Sequence, residues 1–584
     1  MPAQWSSYAL GIVAGRTPRR AATGVTRRAA YVVVAVLACA CVDRNQTFND
    51  VQSAGDTVGG DDLAPQDGTD NDVGGVDTIA PDTARDAIAR PDTVPVDVPT
   101  LPLEEFVVPG TPAITGGVDR FGGPADPSRA PSIVYPTADT IVPPNVRGLE
   151  VHFLPGTGND LFEVSFRGGS SLVRIYTRCT PVGGGCILTL TDPMFGAIVR
   201  ASRPGPTVRL MVRATSDSAG GRFGASRDQA LGVSDMDLSG AIYYWAAGAG
   251  TDPSAIIRYD WAVPTARRET FARGDVINCI GCHSVSRHGE RITIGRGLPY
   301  PATTRIYDVA TRAPTSPEFG TNYATYSPDA TRMVISDGNR LSYVDATNGA
   351  AVPGLTAGTT GSQPDWSADG LRLIFSRHNS VPPFMVGTGG HDPPSDLVVM
   401  DFTGGAFTNS RTFLATASGE NNYYPAFSPD NNWVIWNRGR MFTAAATDAQ
   451  LWIIPYDRML PPRQMAAASP MDTASSWPKW APALTTYGAD PVMYFTFSSP
   501  RAYGLRRAAG MWQLWMAAFR PNVARTGDGS APAFWLPFQQ ADRGNHIAQW
   551  TTDVPRRMCA TSMDCAPDEE CLVLIASGRC VGRM

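Results

Sequence analysis

The sequence predicts an all-β chain: a β-sandwich, then a six-bladed β-propeller, then a small disulfide-rich tail. Three observations carry that expectation. Gly (58) and Pro (49) are abundant and charged residues make up only 18% of 584, a balance suited to turn-rich strands rather than helices. Apolar residues alternate with period two between about 105 and 235. Beyond 236, an aromatic-Ser-x-Asp turn recurs at a blade-sized spacing. The length also exceeds one ordinary core of roughly 100–200 residues, so several domains are expected.

The formal net charge of −5 is unevenly placed. Residues 1–28 carry five Arg and no acid, residues 43–97 carry 13 Asp against three Arg, and residues 98–584 sum to zero. The near-neutral total excludes the basic stripe of a nucleic-acid binder. Only one Lys is present, Lys479, and this scarcity reads as compositional.

Residues 1–41 read as a secretory signal. Arg27-Arg28 precede an apolar run, Ala29 to Ala38, which ends in Leu37-Ala38-Cys39-Ala40-Cys41. The run is too short to span a bilayer as a permanent helix. Cys39 after Val36-Leu37-Ala38 resembles a bacterial lipobox, which implies a diacylglyceryl group on Cys39, with Cys41 as the alternative. A soluble secreted protein whose signal happens to end in Cys is the competing reading. Residues 42–104 are rich in Asp, Thr, Pro and Gly without hydrophobic periodicity, so they are expected to be a disordered acidic tether.

In residues 105–235 the alternation is clear at Val151 and Phe153, at Phe162, Val164 and Phe166, and at Val208, Leu210 and Val212. Some seven strands with Gly/Pro/Asn turns predict a β-sandwich, and the pattern resembles a fibronectin-type-III-like module. Cys179 and Cys186 bracket a Gly-rich turn between two strands, so a hairpin disulfide is expected in an exported protein.

In residues 236–555 the turns Tyr326-Ser327-Pro328-Asp329, Trp366-Ser367-Ala368-Asp369 and Phe427-Ser428-Pro429-Asp430 each precede an apolar strand. Trp480-Ala481-Pro482 opens a degenerate fourth copy, and Val285-Ser286-Arg287-His288-Gly289 aligns as another. Ile242–Trp245 and Ile256–Tyr259 supply a blade that lacks its first strand, which His546–Thr551 can complete. That count gives six blades, with the two ends of the module closing the ring and removing exposed edges. Each turn aspartate is expected to cap its turn rather than do chemistry. The repeat resembles the TolB-like six-bladed β-propeller family, over roughly 320 residues. It departs where that family carries Gly, since Ala330 and Asn431 stand there, and the Trp480 copy lacks the Asp.

Residues 556–584 hold Cys559, Cys565, Cys571 and Cys580. So short a tail has little core, so two disulfides are expected, with three possible pairings; a zinc knuckle is the competing reading.

One motif carries chemistry. Cys279-Ile280-Gly281-Cys282-His283 is a C-x-x-C-H sequence, the attachment signature of haem c, with Cys279 and Cys282 joined to the vinyl groups and His283 the proximal iron ligand. Export is consistent with it, since haem c is attached outside the cytoplasm. A disulfide, half of a zinc site or a redox C-x-x-C are the alternatives. The blade alignment puts Cys282-His283 on an innermost strand, so one covalent haem is expected at a channel mouth. For the sixth position, His546 lies on the neighbouring innermost strand at similar height and is the first candidate distal metal ligand; a channel-lining His bonded to its neighbours is the alternative. His378, Met385, His391, Met441 and Met511, in loops on the same face, are others. Met ligation would raise the potential. Arg438, Arg440, Arg501, Arg506 and Arg507 are candidate partners for haem propionates. His288, beyond the turn, is a poor candidate.

These readings lead to an extracytoplasmic, lipid-anchored c-type cytochrome, in the periplasm or at the cell surface, that transfers electrons to an unidentified redox or protein partner. Five-coordinate iron would instead permit peroxidase-like activity or gas binding, and no distal acid/base pair is identifiable. The alternative is a protein–protein interaction propeller without a redox role, as the TolB resemblance implies. A propeller hydrolase is disfavoured because no G-x-S-x-G elbow is visible.

Overall fold

The computed structural model describes residues 101–582, apart from 111, 249–251, 264–267, 275–279, 297–302, 338–339, 379–393, 418, 441–446, 566–568 and 575–576. The candidate lipidation cysteines Cys39 and Cys41, the first haem cysteine Cys279, and Met385, His391 and Met441 lie outside the described residues. The chain is nearly all β. The main departure is a ten-residue helix, Asp192–Ala201, which the strand-dominated pattern did not foretell. Its Met194, Phe195, Ala197 and Ile198 are buried against the first module, and Pro193 in the first turn suits a helix start. No helix among the described residues is long and apolar enough to cross a membrane.

The first module is two sheets sharing one core. One is built around Leu161–Arg167, Leu172–Arg178 and Thr207–Thr215, the other around Ser132–Tyr135, Glu150–Leu154 and Gly185–Thr189. Alternation does the work: Phe162, Val164 and Phe166 from one sheet and Val151 and Phe153 from the other are all fully buried. The Phe153 and Phe162 rings meet at 4.9 Å across the interface. Cys179 and Cys186 are disulfide-bonded across the hairpin.

Six antiparallel strand groups follow among the described residues, two of them joined into one eight-stranded sheet by a single parallel pairing of Ser395 with Asn421. Their first strands are Asn545–Thr551, Ile280–Val285, Tyr323–Tyr326, Ser362–Trp366, Asn421–Phe427 and Ser476–Tyr487. We number these groups as sheets one to six in that order. Each of these strands lies against the next, and Asn545–Thr551 lies against both Ser476–Tyr487 and Ile280–Val285, so the contacts run full circle. The strand Asn545–Thr551 pairs antiparallel with Ala241–Ala246, more than 300 residues away in sequence, with Trp550 opposite Ile242. The turns between first and second strands repeat one device. Ser327, Ser367 and Ser428 each donate to the Asp two residues on. Each also accepts from the backbone N–H five residues on.

The two parts are joined by a buried polar latch. Glu150 accepts from His152 Nε2 at 2.9 Å, from Tyr503 Oη at 2.8 Å and from Arg506 Nε at 2.9 Å. Leu505 N–H donates to His152 Nδ1 at 3.1 Å, which fixes the proton on Nε2. The backbone comes so close that a Cβ on Gly504 would stand 2.1 Å from His152 Nδ1. Burial alone would raise the Glu150 carboxyl, but the His152, Arg506 and Tyr503 hydrogen bonds hold it at about 2.

The tail carries the disulfides Cys559–Cys571 and Cys565–Cys580. All four of its sulfurs are thereby used, which removes the zinc alternative. Arg556 fixes the tail to sheet one through Asp260 at 3.0 Å and Glu269 at 2.9 Å, with all three side chains less than 10% exposed.

Candidate functional site

The site is built from a repeated irregularity. In sheet two the register slips between Ile280, opposite Arg296, and His283, opposite Ile294, so three residues of the inner strand face two of its neighbour. This is a bulge, a device that re-aims side chains. The same slip occurs between Ser362 and Asp365, Tyr423 and Ala426, and Ser476 and Lys479. In those three strands and the closing one, the residue after the slip starts takes a left-handed conformation: Gln363 (φ 52), Tyr424 (φ 49), Trp477 (φ 58) and Ile547 (φ 59).

Counting back three from each blade aromatic, Cys282 holds the place of Tyr323, Gln363, Tyr424, Trp477 and Ile547. These side chains meet at the centre. Tyr424 stacks on Trp477 at 4.2 Å, and Tyr323 touches both at 6.2 and 5.9 Å. The result is an aromatic waist. The cavity beside it, lined by Cys282, His283, Gln363 and Trp477 among others, is about 30 Å³, room for little more than a water molecule.

One position before each aromatic the character changes. Ser284, Thr325, Asp365, Ala426, Lys479 and Gln549 border a second cavity of about 130 Å³ on the turn side. Lys479 Nζ donates to Asp365 Oδ1 at 2.7 Å, and Asp365 Oδ2 accepts from Phe427 N–H at 2.9 Å. Burial pushes the half-buried Arg287 guanidinium down, opposed by the Asp365 charge. These residues were not singled out from sequence. The signal was available, since the residue before each repeated aromatic points to the centre by the period of two.

His283 is 6% exposed and lies between two carbonyls, with Nδ1 3.2 Å from Gly281 O and Nε2 3.2 Å from Tyr243 O. Burial pushes its pKa down, so the ring is neutral and carries one N–H. Only one carbonyl can therefore receive a proton; the other ring nitrogen faces an oxygen with nothing to donate. Cys282 is disulfide-bonded; the other described cysteines pair among themselves, so its partner lies outside the described residues.

The residue types of the C-x-x-C-H sequence are those that hold a covalent haem, but in this structure Cys282 is oxidised to a disulfide and both His283 ring nitrogens face carbonyl oxygens, so attachment would need the reduced thiols and a ring nitrogen released from its carbonyl. The enclosed space does not hold a macrocycle, so such a group would lie outside the waist. His546 is half-buried, with Nδ1 2.5 Å from Ser498 Oγ and its ring stacked on Trp512 at 5.3 Å. A ligand role for it would use Nε2. His288 is exposed at the turn end beside Thr552, at 2.8 Å. His378 ends the strand Arg372–His378, and Met511 precedes Gln513–Phe519.

The five arginines separate. Arg438 pairs with Glu420 and Arg440 with Asp448. Arg506 is drawn into the Glu150 latch, and Arg507 donates to Ala541 O. Arg501 has no salt bridge to a carboxylate among the described residues, though the Asp472 charge acts on it. It is clamped between the Phe497 and Trp515 rings at 5.0 and 5.1 Å and donates to Ser499 and Ser475. Burial lowers it to about 9.

No protein-family model and no curated protein matches the chain. Among solved structures, the similar ones include propeller-like proteins. An oligogalacturonate lyase in complex with manganese is 16% identical, covers 49% of this chain and 73% of its own, and has a TM-score of 0.30. Hydrazine synthase of Kuenenia stuttgartiensis is 14% identical over 45% and 67%, with a TM-score of 0.27. A prolyl endopeptidase is 10% identical over 62% and 51%, also at 0.27.

Proposed function

We propose that the chain is an extracytoplasmic, lipid-anchored c-type cytochrome: a β-sandwich and a closed six-bladed β-propeller of TolB-like type, carrying one haem c for electron transfer. Cys279 and Cys282 hold the group covalently and His283 ligates the iron. When bound, the haem supplies one-electron chemistry; the protein's part is to fix the imidazole and exclude water from it. The observation that carries this reading is His283. It follows the second Cys of the C-x-x-C-H sequence, and burial keeps its imidazole neutral, the form that ligates a metal; to do so a ring nitrogen would have to leave its carbonyl, Gly281 O or Tyr243 O. Arg501, an aromatic-clamped cation with no salt bridge among the described residues, adds a candidate propionate partner.

The test is a reduced pyridine haemochrome spectrum on protein exported with the haem-maturation machinery supplied. The expected result is covalent haem c, lost in Cys282→Ser. Absence of covalent haem under those conditions would sink the cytochrome reading and leave the interaction propeller. In His546→Ala, a changed low-spin spectrum is expected if His546 is the sixth ligand; an unchanged one removes it.

A further inference from the structure

The polar cavity at the turn end of the ring has no part in the haem chemistry. Its walls alternate in kind. Trp366, Phe427 and Trp480 supply rings, and Asp365, Lys479 and Gln549 stand at the centre. Its charges do not balance. Asp365 has both oxygens engaged, one by Lys479 and one by Phe427 N–H. Arg287 borders the same space, and its guanidinium makes no hydrogen bond or ion pair to any described residue. Two cations against one acid leave a single positive charge. Gln549, 9% exposed, likewise has no hydrogen-bond partner for its amide among the described residues, and it lines both cavities. Both groups border the cavity and are donors without a partner among the described residues, which suits an anion within it.

We propose that this cavity binds a small monocarboxylate, gripped by the Arg287 guanidinium and the Gln549 amide beside Lys479. A guanidinium takes a carboxylate through two parallel N–H···O bonds, and an amide NH₂ adds a third donor. The net charge matches a monoanion rather than a phosphate dianion. The volume of about 130 Å³ equals roughly four waters at about 30 Å³ each, enough for a carboxylate on a small apolar body. The ring-lined wall suits that body.

The experiment is calorimetric titration of the full-length protein with sodium benzoate, and separately with inorganic phosphate, at constant ionic strength. Arg287→Gln and Gln549→Leu are the test variants. Arg296→Gln, an exposed arginine at the end of its strand, is the control. Benzoate is expected to bind the wild type and the control alike, about tenfold more weakly in Arg287→Gln, which keeps size while losing charge. No benzoate binding, or equal binding by wild type and Arg287→Gln, overturns the site. Phosphate binding more tightly than benzoate overturns the carboxylate assignment. Because haem content is read separately from the haemochrome spectrum, failure here leaves the cytochrome reading untouched, and the reverse holds too.

Discussion

Ala330 and Asn431 occupy the turn position where the repeat otherwise has Gly289 and Gly370, and all four are left-handed: φ is 54, 60, 76 and 75. An Ala there costs roughly 1–2 kcal/mol in local sterics, part of which is offset by the lower unfolded-state entropy of Ala. Ala330→Gly is therefore expected to stabilise the protein by about 0.5 kcal/mol, read as a small rise in thermal midpoint. Asn431→Gly should do the opposite. Its Oδ1 accepts from Ala368 N–H at 2.8 Å and Asp369 N–H at 3.3 Å, tying sheet five to sheet four, and Gly cannot replace those bonds. A lower midpoint for Ala330→Gly would refute the strain argument. The departures from Gly at these two places were visible in the sequence, but only the backbone angles show that the turn keeps the same conformation despite them.

At the scale of elements, the latch between the two modules has a pH signature. The Glu150 carboxyl sits at about 2 in the folded protein, below its ordinary value of 4.5. A depressed acid contributes stability that is present above the unfolded pKa and is lost as pH falls. Glu150 should thus contribute about 3 kcal/mol near neutrality, declining between roughly pH 5 and pH 2. Denaturant unfolding of the wild type and Glu150→Gln should converge as the pH drops through that window; a constant gap would show that the charge is not what matters. The strand pattern of both modules was legible from period-two alternation, as at Phe162, Val164 and Phe166. The latch was not, since Glu150 stands 353 residues before Tyr503 and 356 before Arg506. The helix Asp192–Ala201 was missed for another reason. Its apolar face is short, and Gly196 interrupts an otherwise weak helical signal.

At the scale of the whole molecule, the ring of contacts depends on one late strand. Removing residues 545–584 should expose the edge of Ala241–Ala246 and leave Ser476–Tyr487 without the strand packed beside it. Such a truncated chain is expected to lose its near-ultraviolet circular dichroism and to aggregate on size-exclusion chromatography. A soluble, protease-resistant monomer would show that closure is dispensable. The motif at Cys282-His283 and the closing pairing of Trp550 with Ile242 could be placed by aligning the repeat. What alignment could not supply was the level at which side chains meet: an aromatic waist at one position and, two residues further on, a largely polar ring holding the Asp365–Lys479 pair.

The pairing of Asn545–Thr551 with Ala241–Ala246 also sets an order of events as the chain is made from its N-terminus. The inner strand bearing Cys282 and His283 is delivered more than 250 residues ahead of the strand that seals it against sheet one. Until then Ile280–Val285 has its sheet-one neighbours Ala241–Ala246 and Ala255–Asp260 but lacks the inner strand that completes the ring. Any reaction at Cys282 or His283 that needs an open ring would have a time window set by the rate of chain synthesis rather than by the stability of the finished fold. Slowing the arrival of the last forty residues should widen it.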